Sequence, residues 1–145
     1  MQTTFTVLII GLIGGLAVGL QGPLASMMSQ RLGALESSLI VHLGGLLATL
    51  IPLLFMGSKT LPGWRSLPWY VLGAGALGVV LVVSISVTIP RLGATTAIVL
   101  LVAGQLSIGA LVDHFGLLGV AIRPVDWTRL LGFSTVLFGV WLFAR

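Results

Sequence analysis

The sequence predicts an all-α polytopic membrane protein: a helical bundle of five transmembrane helices that pairs as an antiparallel, inverted dimer. Three observations lead there. Of 145 residues, 57% are hydrophobic and only 7% charged, against roughly 25% charged in soluble domains. Five apolar stretches, residues 4–29, 37–56, 69–89, 94–112 and 128–144, approach the ~20 residues a helix needs to cross the hydrocarbon core. The seven basic residues fall almost evenly on the two sides of the membrane that five spans define. The spans use most of the chain, so a single membrane domain, residues 1–145, is expected.

The first span opens at Met1-Gln2-Thr3-Thr4-Phe5 with no basic run ahead of it, and it is longer than a signal-peptide core, so it reads as a retained helix. Gly11, Gly15 and Gly19 recur every four residues and give it one smooth face, suited to close packing within the subunit or across a dimer. Further along, "GLAVGLQGPLASMMSQ" places Gln21, Gly22 and Pro23 at membrane depth. Proline removes a helix hydrogen bond and crowds the carbonyl of Gly19, and glycine tolerates the resulting angles. Such a level survives in a bilayer only where protein covers it or a wet cavity borders it, so it is expected to face inward. A kink is the preferred reading. The alternative is a true interruption, with Pro23 opening a second half-helix whose free N–H groups attract negative charge.

The second span carries His42 in "IVHLGGLLATL". Trp64, Trp69 and Tyr70 flank the start of the third, which holds Ser84, Ser86 and Thr88 and the small pair Ala74 and Gly78. The fourth has Gln105 near its middle, with Ala103 and Ser107 as small residues. Asp113 to Trp127 is the longest connection, and its "GLLGVAI" is apolar enough to lie in the interface or cap the bundle. Trp127 and Trp141 bracket the fifth span; with the rings of span three they read as headgroup anchors. "QRLGALESSLIV" and "PRLGATTAIVL" share Arg-Leu-Gly-Ala sixty residues apart, each between an outgoing span and its return. Arginine suits a helix C-terminus and glycine supplies a left-handed stop. Convergence on a good turn and duplication of a hairpin both account for the echo.

Connections on the N-terminal side carry Lys59, Arg65, Arg123 and Arg129; the other side carries Arg31, Arg91 and Arg145. A difference of one basic residue orients almost nothing. Either the N-terminal side is weakly preferred in the cytoplasm, or the chain inserts both ways, as an antiparallel homodimer requires. Scattered single charges offer no stripe for nucleic acid, so the lipid bilayer is the partner they fit. The absence of cysteine removes disulfides, thiolate chemistry and cysteine-bound metals. No nucleophile–base pair or metal cluster is readable, and neither an enzyme nor a cofactor is expected.

Glu36, Asp113 and Asp126 all fall at or beyond span ends. Proton-coupled exporters of cations usually keep a carboxylate at depth, and none is present unless Asp113, beside His114, folds inward; that pair reads as an interfacial helix terminus. The groups at depth are neutral. Counted at ~1.5 Å per residue, Gln21, His42, Ser84 and Gln105 come from four helices into neighbouring layers. An unpaired buried amide costs roughly 2–7 kcal/mol, so each must find a partner. Ser84 and Ser86 can bond back to their own helix, the glutamines can fasten helices, and His42 can donate to a backbone carbonyl. Their coincidence in depth favours a substrate-binding site of Gln21, Gly22, Pro23, His42, Ser84 and Gln105.

With these residues in view, the chain resembles the YdcZ-type inner-membrane proteins of the drug/metabolite transporter superfamily. The carrying stretches are "GLQGPLASMMSQRLGALESSLIVHLGG", "ATTAIVLLVAGQLSIGALVDHFGLLG" and "DWTRLLGFSTVLFGVWL". The resemblance implies a bacterial inner-membrane location and a five-span unit like half of a ten-span carrier. It implies pairing in inverted orientation, as a homodimer or as a heterodimer with a sister five-span chain. It also sets Ala25 where an asparagine is common. The expected function is transport of a small polar organic solute by alternating access in a dimer. Without a buried acid, the solute is neutral, zwitterionic or carboxylate-bearing, and its movement is either passive or coupled to a proton at His42 or Asp113. The alternative is a non-transporting assembly or regulatory subunit whose polar layer only locks helices together.

Overall fold

The computed structural model describes residues 2–58 and 60–143. Met1, Lys59, Ala144 and Arg145 lie outside the described residues, among them two of the counted charges and the last residue of the expected fifth span. Among those described, the chain forms α1 (Gln2–Leu32), α2 (Ala34–Met56), α3 (Trp69–Leu72), α4 (Ala74–Leu92), α5 (Ala94–Phe115) and α6 (Trp127–Phe143). Four segments are long and apolar enough to cross a membrane: Phe5–Leu32, Ala34–Met56, Trp69–Leu92 and Ala94–Phe115. The helix Trp127–Phe143 is apolar but has 17 residues. This is an all-α polytopic membrane helical bundle with small residues in its contacts and large apolar ones outside. Phe55 and Trp69 are 88% and 84% exposed, a pattern that lipid accepts and water does not.

The helix α1 continues through Pro23 without interruption, so the proline modifies one helix and creates no half-helix terminus. The connection expected after residue 29 shrinks to a single residue, Gly33, and a single Gly93 likewise separates α4 from α5. Their angles, φ 111°, ψ 158° and φ 79°, ψ 160°, are not the compact left-handed stop that was expected. They lie in the positive-φ extended region that essentially only glycine enters. The geometry lets each glycine end one helix and start the next. Gly33 O accepts the Ser37 N–H at 3.1 Å, and Gly93 O accepts the Ala97 N–H at 3.2 Å. Gly33→Ala and Gly93→Ala are each expected to lose about 1–3 kcal/mol in detergent unfolding. An added Cβ meets only the flexible Glu36 side chain at 33 and open space at 93, so both costs are backbone strain. An unchanged Gly93→Ala midpoint would contradict this turn geometry.

The echo between the hairpins extends beyond the turn. Gly22, Ala25, Ser26 and Ser37 are buried, and so are Val82, Ile85, Ser86 and Ala97, each sixty residues later. The same turn followed by helices of the same period accounts for this register as well as duplication does.

The chain divides into two compact units, residues 1–90 and 91–145. In the first, α1 and α2 meet through Ala25, Ser26, Ser37 and Ser38, all 2% exposed or less. Small side chains let the backbones approach, and the Ser37 hydroxyl donates across to Ala25 O at 2.8 Å. Gly22 lies within ordinary contact of Ile85 and Ile89 on α4. By contrast, nothing lies within 4 Å of a Cβ built on Gly11, Gly15 or Gly19, so among the described residues that smooth face is not packed. A 3₁₀ turn, Leu61–Ser66, leads into α3 and α4. Trp64 is half-exposed, with the Arg65 guanidinium 5.8 Å from its ring centroid.

In the second unit α5 packs on α6, and Thr96 donates to Phe143 O at 3.2 Å. Gly116, left-handed at φ 62°, ψ 33°, caps α5 with its N–H on Val112 O, the usual conformation for a C-terminal glycine. The connection then folds back on the end of α5: Arg123 N–H donates to Asp113 O at 2.7 Å and Val125 N–H to His114 Nδ1 at 3.1 Å. Asp126 caps α6 through the Arg129 N–H at 2.8 Å.

Candidate solute-binding site

Residues 42, 45, 46 and 49 fall on one face of α2, because positions three and four apart lie above one another on a helix. With Gln21 of α1 and Gly78 of α4 they line an open cavity of about 400 Å³ in the first unit. That volume lies in the range, roughly 300–1,000 Å³, of small-molecule pockets. Gln21 and His42, placed at one level by counting along the helices, do share this site. Gly22 and Pro23 do not line the cavity. Gly22 packs on α4 and Pro23 lies within the same turn of α1 as Gln21. Ala25 is buried in the α1–α2 contact.

The imidazole of His42 is fixed at one end. Its Nδ1 lies 2.7 Å from Ser38 O one turn earlier, with the Ser38 hydroxyl at a longer 3.4 Å. A carbonyl can only accept, so Nδ1 carries a hydrogen and donates. The other ring nitrogen, Nε2, lies against Gly78, where an alanine Cβ would be 2.6 Å away. The missing side chain on α4 is what makes room for the ring. Among the described residues no group hydrogen-bonds Nε2 or the Gln21 carboxamide. At membrane depth such groups need water, a solute or a partner chain.

Thr49 is a lining residue that sequence reasoning missed. Its hydroxyl donates back to Gly45 O at 3.1 Å and Leu46 O at 3.0 Å, leaving lone pairs for the cavity. Spacing from His42 could have found it; Gly78 has no such signal, since its role depends on which helix faces it. Ser84 does not line this cavity. The back-bonding expected for Ser84 and Ser86 is made by Ser86, to Val82 O, and by Thr88, to Ser84 O, both at 2.8 Å.

Gln105 lines a different cavity, about 530 Å³, within the second unit between α5 and α6. Gly109 and Asp113 follow it on one face of α5, and Arg129 and Gly132 close the opposite side. Arg129 Nη1 reaches Asp113 Oδ2 at 3.4 Å and Arg123 O at 3.2 Å. Both charged side chains are over a third or close to a third exposed (39% and 33%), so the pair contributes ~0–1 kcal/mol and acts chiefly to hold the connection. Asp113 thus stands at a helix end, paired, as an interfacial terminus does.

Apolar helices of spanning length that meet through small residues define a polytopic membrane protein, and polar side chains border a solute-sized cavity in each unit. The family model described as "Putative inner membrane exporter, YdcZ" matches residues 6–142. The chain belongs to this family, within the drug/metabolite transporters, and is a multi-pass inner-membrane protein. No curated relative and no solved structure matches it. Among the described residues no group of three or more His, Cys, Asp or Glu could hold a metal ion. The family assigns the chain a transporter role.

Proposed function

We propose that the chain moves a small polar organic solute across the inner membrane by alternating access, with Gln21 and His42 as its contacts in the first unit. The observation that carries this is the cavity on α1, α2 and α4, where an unpaired carboxamide and an unpaired ring nitrogen border about 400 Å³ of space. Gly22 and Pro23 give α1 its course beside that cavity, Ser84 lies on the helix that walls it, and Gln105 contacts solute in the second unit's own cavity. All 145 residues act as one membrane domain. In it α6 is the fifth span: 17 residues reach ~25 Å, a shortfall that local bilayer thinning accommodates.

Two copies, or this chain and a sister five-span chain, pair in inverted orientation. The near-even basic count supports this, as does the unpacked Gly11-Gly15-Gly19 face. The non-transporting subunit reading predicts dry, permanent packing at the same residues.

A cysteine-free chain makes the test direct. Thr49→Cys is expected to react with a membrane-impermeant thiol reagent, and to do so from either side of the membrane. Leu54→Cys, at a position of α2 that is 73% exposed, is expected to react at least tenfold more slowly because lipid surrounds it. Absence of reaction at position 49 would mean a dry interior and the end of the transport reading.

A further inference from the structure

We infer that the cavity on α1, α2 and α4 takes a neutral, polyhydroxylated solute whose hydroxyl hydrogens point at His42 Nε2 and Thr49 Oγ1; this rests on reading the cavity as the solute site.

Hydrogen positions carry the argument. Because Ser38 O can only accept, the 2.7 Å contact holds a ring hydrogen on Nδ1, and an imidazole with that one hydrogen presents a bare lone pair at Nε2. Nε2 borders the cavity beside Gly78. Thr49 has one hydroxyl hydrogen, directed at Gly45 O and Leu46 O, so its remaining capacity toward the cavity is as an acceptor. Two acceptors on one face of α2 demand donors from whatever lies between them.

Charge narrows the class further. Apart from Gln21, His42 and Thr49, the lining is glycine, valine and leucine. No cationic side chain is there to meet a carboxylate, and no carboxylate to meet an ammonium. An ion without a counter-charge keeps a large desolvation penalty in such surroundings. Hydroxyl groups donate without that penalty, and the Gln21 carboxamide can give or accept whatever hydrogen bond remains. The broader expectation of a neutral, zwitterionic or carboxylate-bearing solute therefore contracts to its neutral member, one with several hydroxyls.

The second histidine is an internal control. Val125 N–H donates to His114 Nδ1 at 3.1 Å, so Nδ1 is the acceptor there and the hydrogen sits on Nε2. The two rings have opposite tautomers. The experiment is ¹⁵N NMR of the full chain, labelled at histidine and reconstituted in lipid bilayers, with His114→Gln to assign the signals. Xylitol is the probe and its per-O-methyl ether, equal in acceptors but without donors, is the comparison. The expected result is a His42 ring protonated at Nδ1 and bare at Nε2, opposite to His114. Xylitol then shifts the Nε2 resonance upfield and saturably, and the ether leaves it in place. A proton on Nε2 before any addition overturns the inference. So does a silent Nε2 in the presence of xylitol, or an equal response to the ether. Failure of Thr49→Cys to react with an aqueous reagent sinks the transport reading itself, whereas a reactive position 49 with a protonated or unresponsive Nε2 sinks only the solute class.

Discussion

Gly78→Ala is expected to lower solute uptake at least tenfold while leaving the protein inserted and folded. The added Cβ would lie 2.6 Å from His42 Nε2, closer than van der Waals contact allows, and the ring cannot simply turn aside. Its far side is held by the 2.7 Å bond from Nδ1 to Ser38 O, so rotation gives up a hydrogen bond of about 0.5–1.5 kcal/mol. The other outcome is separation of α4 from α2. Either response reshapes the cavity, although alanine is the better helix former at position 78. Reaction of Thr49→Cys with the impermeant reagent should slow at least tenfold, and uptake into proteoliposomes should fall by the same order. Gly22→Ala is the matched control. Its Cβ would meet Ile85 and Ile89 side chains at 3.6–3.8 Å, ordinary contact, and both readouts should stay within about twofold of the parent. Adding His42→Ala to Gly78→Ala removes the clash and restores labelling at position 49 but not uptake, since one solute contact is then missing. Normal uptake by Gly78→Ala would show that the imidazole has no part in the path.

Much of this architecture was legible because hydrocarbon is an unforgiving solvent. Runs of ~20 apolar residues leave few alternatives to spanning helices, and four of the expected spans are present as such helices. Boundaries were less legible. Residues 30–36 and 90–93 looked like connections, yet Gly33 and Gly93 alone separate the helices, because a glycine carbonyl at positive φ already accepts the first helical N–H. Depth counting brought Gln21 and His42 to one level, and they share a cavity. It could not say which way Ser84 faces, since rotation about a helix axis leaves depth unchanged. Gly78 and Thr49 escaped notice for a related reason. One acts through an absent side chain on a facing helix, and the other through the direction of a single hydroxyl hydrogen. Gln105, Gly109 and Asp113 fall at helical spacing along one face of α5, but only the position of α6 shows that Arg129 closes the cavity they line.

Gln21→Leu and Gln105→Leu are expected to lower uptake by about tenfold or more each while the dimer persists. A glutamine that contacts solute contributes one or two hydrogen bonds of about 0.5–1.5 kcal/mol apiece, and leucine of similar size offers none. If both amides serve one solute passing through one path, the double variant is sub-additive, because the first loss already removes the pose that the second residue would have held. Uptake of a panel of labelled polyols, amino acids and dicarboxylates into proteoliposomes measures the first quantity, and crosslinking in native membranes the second. The fastening role makes the opposite forecast. Leucine in place of an interhelical amide, each such bond being worth roughly 0.6–2 kcal/mol in membranes, would weaken pairing in step with activity. Intact dimers with lost uptake place the amides on the solute path; dissociated chains assign them to assembly. Fully multiplicative losses in intact dimers would mean that the cavity on α1, α2 and α4 and the cavity between α5 and α6 serve separate steps, and the single shared path would have to be abandoned.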